Sequence, residues 1–119
     1  MTSVSASDFD GVMNLGGQVS DTNIERILDL AIDTLNLFGA DLSNMSGTAG
    51  SKTVGLESNE KAAVFIVARA VYYSFYKDIE PAAVQGLSLG TADLLSNSTV
   101  LNVVKEAARR LVELEVSHG

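Results

Sequence analysis

Residues 62–68 read AAVFIVA without a polar side chain, and through Tyr76 only Arg69 and Ser74 interrupt an apolar and aromatic run. At helical pitch, seven consecutive apolar residues cover every side of the element, and such a helix must be covered on nearly every side. The stretch is also shorter than the roughly 20 residues that span a bilayer. It therefore predicts a helix over 59–78, capped by Ser58, that is buried in protein. In a chain of 119 residues, two partner helices cannot shield it completely, so contacts with other subunits are expected. The aromatic cluster Tyr72, Tyr73, Phe75 and Tyr76 closes the run. Phe75 reads as core, whereas tyrosines suit a contact that is apolar in body and wet at the hydroxyl.

Two further long helices follow from periodicity. In VSDTNIERILDLAIDTLNLFG, residues Ile24, Ile27, Leu28, Ala31, Leu35 and Phe38 recur at spacings of three and four, with Glu25, Arg26, Asp29, Asp33 and Asn36 on the other side. Ser20, Asp21 and Thr22 are candidate caps, Thr22 with Glu25 fits a capping box, and Gly39 is the stop. The last helix, VLNVVKEAARRLVELEV, is capped by Ser98 or Thr99. Its expected core face is Val100, Val103, Val104, Ala107, Leu111 and Leu114, and Lys105, Glu106, Arg109, Arg110 and Glu113 solvate its outside.

Between these elements the chain is less regular. Residues 40–57 are rich in glycine and serine and predict a long polar loop, mobile unless a partner orders it. After Pro81, Val84, Leu87 and Leu89 flank small residues, and Gly86 and Gly90 punctuate the run, which fits a short β-hairpin or extended arm better than a helix. Residues 1–6 and 116–119 read as flexible ends of a single domain. The expected fold is mainly α: a small bundle of three long helices, a short N-terminal helix, and the hairpin or arm before the last helix.

The motif with the strongest claim to chemistry is SDFDG at residues 7–11, because an Asp-x-Asp-Gly stretch opens the active site of haloacid-dehalogenase-like phosphatases. That site needs a hydrophobic parallel strand before the first aspartate, and TSVSAS is not one. Nothing downstream supplies a βαβ series. A calcium loop fails too, since it needs glycine at its sixth position and a terminal glutamate. The residues fit a short helix instead. Ser7 pairs with Asp10 as the cap, Phe9, Val12, Met13 and Leu15 form its apolar side, Asp8 complements the dipole, and Gly16-Gly17 stops it.

Other catalytic signatures are missing. The chain has no cysteine and a single histidine, His118, next to the last residue. A thiol nucleophile and a thiolate metal site are thereby excluded, and a general-base histidine is not expected. The loop glycines Gly47, Gly50 and Gly55 match neither the dinucleotide nor the phosphate-loop spacing. No enzymatic activity, cofactor or metal is expected. An enzyme would need a carboxylate-only metal site, with Asp8 and Asp10 as its local candidates. The formal charge of −7, fifteen acids against eight bases, argues against a nucleic-acid grip, which needs clustered cations. The first residues carry neither a basic patch nor an apolar run, so a cytosolic protein is expected.

Taken in order, a short helix ending in glycines, SDTNIERILDLAIDTLN, a polar loop, EKAAVFIVARAVYYSFY, the stretch GLSLGTADL and a final helix resemble the head-tail connector (adaptor, or head-completion) proteins of tailed viruses. The resemblance spans about residues 7–115 and rests on pattern rather than on a catalytic signature. It implies a virion protein, present in the host cytoplasm before assembly. Such a protein forms a twelve-fold ring beneath the portal, receives a tail-side connector or tail protein, and lines a channel through which DNA passes without sequence-specific binding. No membrane is involved. The subunit or portal contacts expected on this basis are Arg69, Tyr72, Tyr73 and Tyr76, together with Arg109, Arg110, Leu114 and Val116 of the last helix and its VELEVSHG end. The competing expectation is a small acidic helical module of unrelated family that binds a basic protein.

Overall fold

In a computed structural model, residues 1–79 and 89–118 are described, with side chains through Leu114. The fold is mainly helical, with a short two-stranded antiparallel sheet. In chain order the elements are β1 (Thr2–Ser5), α1 (Ala6–Met13), α2 (Asp21–Leu37), β2 (Thr53–Leu56), α3 (Ser58–Val71), a π-helical turn (Tyr72–Tyr76), α4 (Thr91–Leu95) and α5 (Ser98–His118). Helix α3 packs against both α2 and α5, and α4 bridges α5 and α2 through the fully buried Leu94.

The N-terminus, expected to be flexible, is a strand. Thr2 to Ser5 pair with Leu56 back to Thr53, and alternation puts Val4 into the core at 1% exposure and its neighbour Ser3 on the exposed face. This pairing also moves the helix cap. Two Ser-x-x-Asp pairs overlap here, and the strand ends at Ser5, so Asp8 rather than Asp10 closes the box. Its Oδ2 accepts the Ser5 backbone N–H at 2.7 Å and the Ser5 hydroxyl at 3.1 Å. Asn14, in the left-handed region at φ 56°, ends the helix. Phe9 anchors α1 with no exposed area and meets Phe65 edge-on at 5.4 Å between ring centroids.

Helix α2 buries Ile24, Ile27, Leu28, Ala31 and Leu35 as its period predicts, while Phe38 at its end stays 37% exposed. Ser20 is its cap and accepts the N–H of Asn23 at 3.3 Å, so the Thr22–Glu25 box does not form. Glu25 points elsewhere. It is 2% exposed and accepts the backbone N–H groups of Gly50 at 2.9 Å and Lys52 at 3.0 Å. One turn along, Asp29 Oδ1 accepts the N–H of Met45 at 2.9 Å, and Asp33 accepts from the Asn44 side chain at 3.0 Å. Asn36 brackets Leu42, donating to its carbonyl at 2.8 Å and accepting its N–H at 2.9 Å.

The segment 40–57, expected as a mobile polar loop, is therefore laid along the side of α2 expected to face solvent. Its backbone donors find acceptors on three α2 side chains, Glu25, Asp29 and Asn36, its Leu42 and Met45 are buried, and its β2 residues close the segment. A buried backbone donor needs a partner, and these carboxylates supply it.

Two other caps differ in detail from expectation. Glu60 accepts the N–H of Glu57 at 2.8 Å at the start of α3, so Glu57 rather than Ser58 is the cap. Asn97 Oδ1 accepts the N–H of Val100 at 3.0 Å at the start of α5, in place of Ser98 or Thr99. The hairpin or arm expected after Pro81 lies largely outside the described residues. Its last part, Thr91–Leu95, is helical, because Asp93 caps that turn on the Gly90 N–H at 2.9 Å. At the other end α5 runs through His118, so residues 116–118 continue the helix rather than form a flexible tail. Neither glycine nor proline interrupts the i to i−4 bonding before that point.

Candidate functional site

The exposed face of α3 and the turn after it carries Ala62, Ile66, Arg69 and Tyr73, spaced by four, three and four residues. Ile66 is 55% exposed although it sits inside the all-apolar run. The expectation that this helix leaves a side uncovered is thereby given a location. Beside Ile66, residues Asn102, Val103, Glu106, Ala107 and Arg110 of α5 complete a shallow, mostly apolar groove of about 440 Å³.

A row of alternating cations and aromatics runs along α3 at four-residue spacing. The Lys61 ammonium lies 5.5 Å from the Phe65 ring centroid, the Arg69 guanidinium 5.7 Å from that of Tyr73, and the Lys77 ammonium 5.0 Å from the same Tyr73 ring. Tyr73 is thus clasped by two cations on a surface that is 46% exposed at the ring. Among the described residues, no carboxylate lies within ion-pair distance of Lys61, Arg69 or Lys77.

Tyr72 and Tyr76, expected at a subunit contact, are instead interior, at 9% and 4% exposure. They continue the buried stripe of Val64 and Ala68 at four-residue steps, a signal present in the sequence. The π-helical turn closes with the Lys77 N–H on the Tyr72 carbonyl at 2.9 Å and turns Tyr72 and Tyr76 inward while Tyr73 stays out. Burial raises the Tyr76 hydroxyl above its ordinary pKa, and the positive charge of Arg26 offsets part of that.

Arg109 and Arg110 belong to an exposed network on α5. Arg109 donates to Glu106 and to Glu113, one turn away on each side, and Arg110 Nε donates to Glu106 at 3.1 Å. These hydrogen bonds hold the Glu106 carboxyl down at about 2 and push the Arg109 guanidinium above its usual value. Arg110 also lines the α3–α5 groove. Leu114, read as core face, is 39% exposed. With Ala40, Leu42 and Leu111 it lines a second recess of about 170 Å³ that Glu57 and Glu60 border. The side chain of Val116 lies outside the described residues.

The structure thus puts Arg110 in the lining of the groove, Arg69 and Tyr73 on the exposed face that also carries Ile66, and Leu114 in a separate recess. Sequence reasoning missed Ile66, Val103 and Ala107 as its floor. Which part of an all-apolar helix stays open depends on where α2 and α5 pack, and the run itself carries no asymmetry. Among the described residues no three acidic or histidine side chains converge to hold a metal ion, and no helix is long and apolar enough to cross a membrane. What the groove offers is an apolar floor bordered by Asn102, Glu106 and Arg110, with Arg69 one turn from Ile66 along α3, an arrangement suited to gripping another macromolecule's side chains. No protein-family model, curated protein or solved structure matches the chain.

Proposed function

We propose that this chain is a non-enzymatic head-tail connector subunit of a tailed virus. Twelve copies form a ring beneath the portal, receive a tail-side protein on the opposite rim, and line a channel through which DNA passes without sequence-specific binding. In this reading α2, α3 and α5 are the three-helix bundle of the connector, and its place is the head-tail interface of the virion. The observation that carries it is the uncovered side of α3. A helix with Ile66 more than half exposed and an apolar groove beside it is built for neighbours, as an assembling subunit requires. The order of helices and loops that resembles the connector family supports it as well. So does the charge of −7, which in a ring would face passing DNA with like charge.

The test is to mix the purified protein with portal rings encoded by the same genome and follow co-sedimentation. Binding to portal, weakened by Ile66→Asp, is the expected outcome. Absence of binding at any protein concentration rejects the reading.

A further inference from the structure

We propose that the α3–α5 groove receives the Leu37–Phe38 corner of a second copy of this chain, in a head-to-tail contact. This deepens the ring reading above by naming both of the surfaces that meet. The corner is the end of α2, where Leu37 is 62% and Phe38 37% exposed and Gly39, at φ 106°, turns the chain away. Two adjacent large apolar side chains at a tight turn form a knob. The groove, floored by Ile66, Val103 and Ala107, is a matching hole.

Charge selects the pairing. Asp41 is exposed three residues past Phe38, and among the described residues no cation lies within ion-pair distance of it. On the other surface, Arg69 follows the groove residue Ile66 by three positions, about one helical turn, and lacks a carboxylate in the same way. Each surface carries charge that its own subunit leaves unbalanced, and the two are opposite in sign. A second copy supplies the missing partner, and complementary potentials of this kind fix register and suppress wrong pairings.

The two surfaces lie on opposite flanks of α5. A Cβ added to Gly39 would sit 3.4 Å from Val112, so the end of α2 lies on the Val112 side. Val112 follows Val103 by nine residues, about two and a half helical turns, which puts the groove on the far side of α5. One copy therefore cannot fill its own groove, and the contact is heterologous: each copy offers a corner to one neighbour and a groove to the other. A heterologous contact closes into a ring when its rotation permits, and otherwise extends as a filament.

The absence of native cysteine makes the test clean. Ile66→Cys and Phe38→Cys are introduced separately, each variant is checked for native helical content by circular dichroism, and the purified proteins are oxidised at high concentration without portal. Neither variant alone is expected to cross-link, their mixture is expected to give a heterodimer, and the doubly substituted chain a ladder of oligomers. Arg69→Glu should slow the cross-link at least roughly tenfold, as like charges then meet across the contact, and Asp41→Lys in the partner should restore it. Leu37→Cys replaces Phe38→Cys if the latter misfolds. Self-cross-linking of Ile66→Cys, which marks a two-fold dimer, or no cross-link between the two variants, overturns the proposal. Because portal is absent, failure here with portal binding intact removes only this contact. Cross-linking without portal binding upholds the contact and removes the virion reading.

Discussion

The carboxylate of Glu25 holds the backbone N–H of Gly50 at 2.9 Å across twenty-five residues of chain. Gly50 sits at φ 91°, and the same carboxylate takes the Lys52 N–H through its other oxygen. Glu25 is thus a two-pronged clamp that fixes the crown of the 40–57 segment against α2. Glu25→Ala leaves two backbone donors without an acceptor and should cost about 2–4 kcal/mol, read as a lower urea midpoint. Glu25→Gln keeps one carbonyl oxygen and should cost less. Asp41→Ala, at an exposed site with no hydrogen-bonded partner among the described residues, should stay within about 0.5 kcal/mol. Equal effects at the two positions would mean that the clamp holds nothing.

The tyrosines separate by depth. Tyr76→Ala opens a cavity in the core and should destabilise the fold by about 3–5 kcal/mol, the range for large aromatic truncations. Tyr73→Ala removes only the ring between Arg69 and Lys77 and should cost about 0.5–1 kcal/mol. Chemical denaturation of both variants measures the difference. An assembly defect in Tyr73→Ala therefore reports on the surface, whereas one in Tyr76→Ala reports on folding.

At α1, Asp8→Ala removes the acceptor for the Ser5 N–H and should lower stability by about 1 kcal/mol. Asp10→Ala should be close to neutral, since its backbone carbonyl, not its carboxylate, makes the contacts at the end of α1. Thermal unfolding of the pair decides between this cap and a reading in which Asp10 is the capping residue.

Glu106 is held at about 2, below its ordinary 4.5, by hydrogen bonds from Arg109 and Arg110. A depressed acid contributes to stability above its unfolded value and loses that contribution as pH falls through its folded value. The network on α5 should therefore persist at neutral pH and dissolve between about 4.5 and 2. A carbon-detected NMR titration of the Glu106 carboxyl should find its midpoint near the lower end of that window. High salt should raise the midpoint, because the network is exposed. A midpoint near 4.5 at low salt would mean that the arginines do not pair.

The apolar face of α2 was legible because a 3.6-residue period needs only one wall to pack against, and Ile24, Ile27, Leu28, Ala31 and Leu35 all lie inside. Its polar side was not. Glu25, Asp29, Asp33 and Asn36 look like a solvated face in sequence, and only the return of residues 40–57 makes Glu25, Asp29 and Asn36 backbone acceptors and pairs Asp33 with the Asn44 side chain. The choice of Ser5 over Ser7 was equally hidden, since both start a Ser-x-x-Asp pair and a distant strand, β2, decides where the first helix can begin. At the candidate site, Arg69 and Tyr73 stand on the same exposed face as Ile66. Tyr72 and Tyr76 are interior, because the four-residue stripe from Val64 continues inward through the π-helical turn.

The central claim is assembly on a portal, and native mass measurement of the protein mixed with its portal ring tests it most directly. The account expects one complex heavier than the portal by twelve copies of the 12.5 kDa chain, lost on Ile66→Asp while the free protein keeps its helical content. A portal peak unchanged in mass across all mixing ratios, with the 12.5 kDa chain remaining separate, would contradict it.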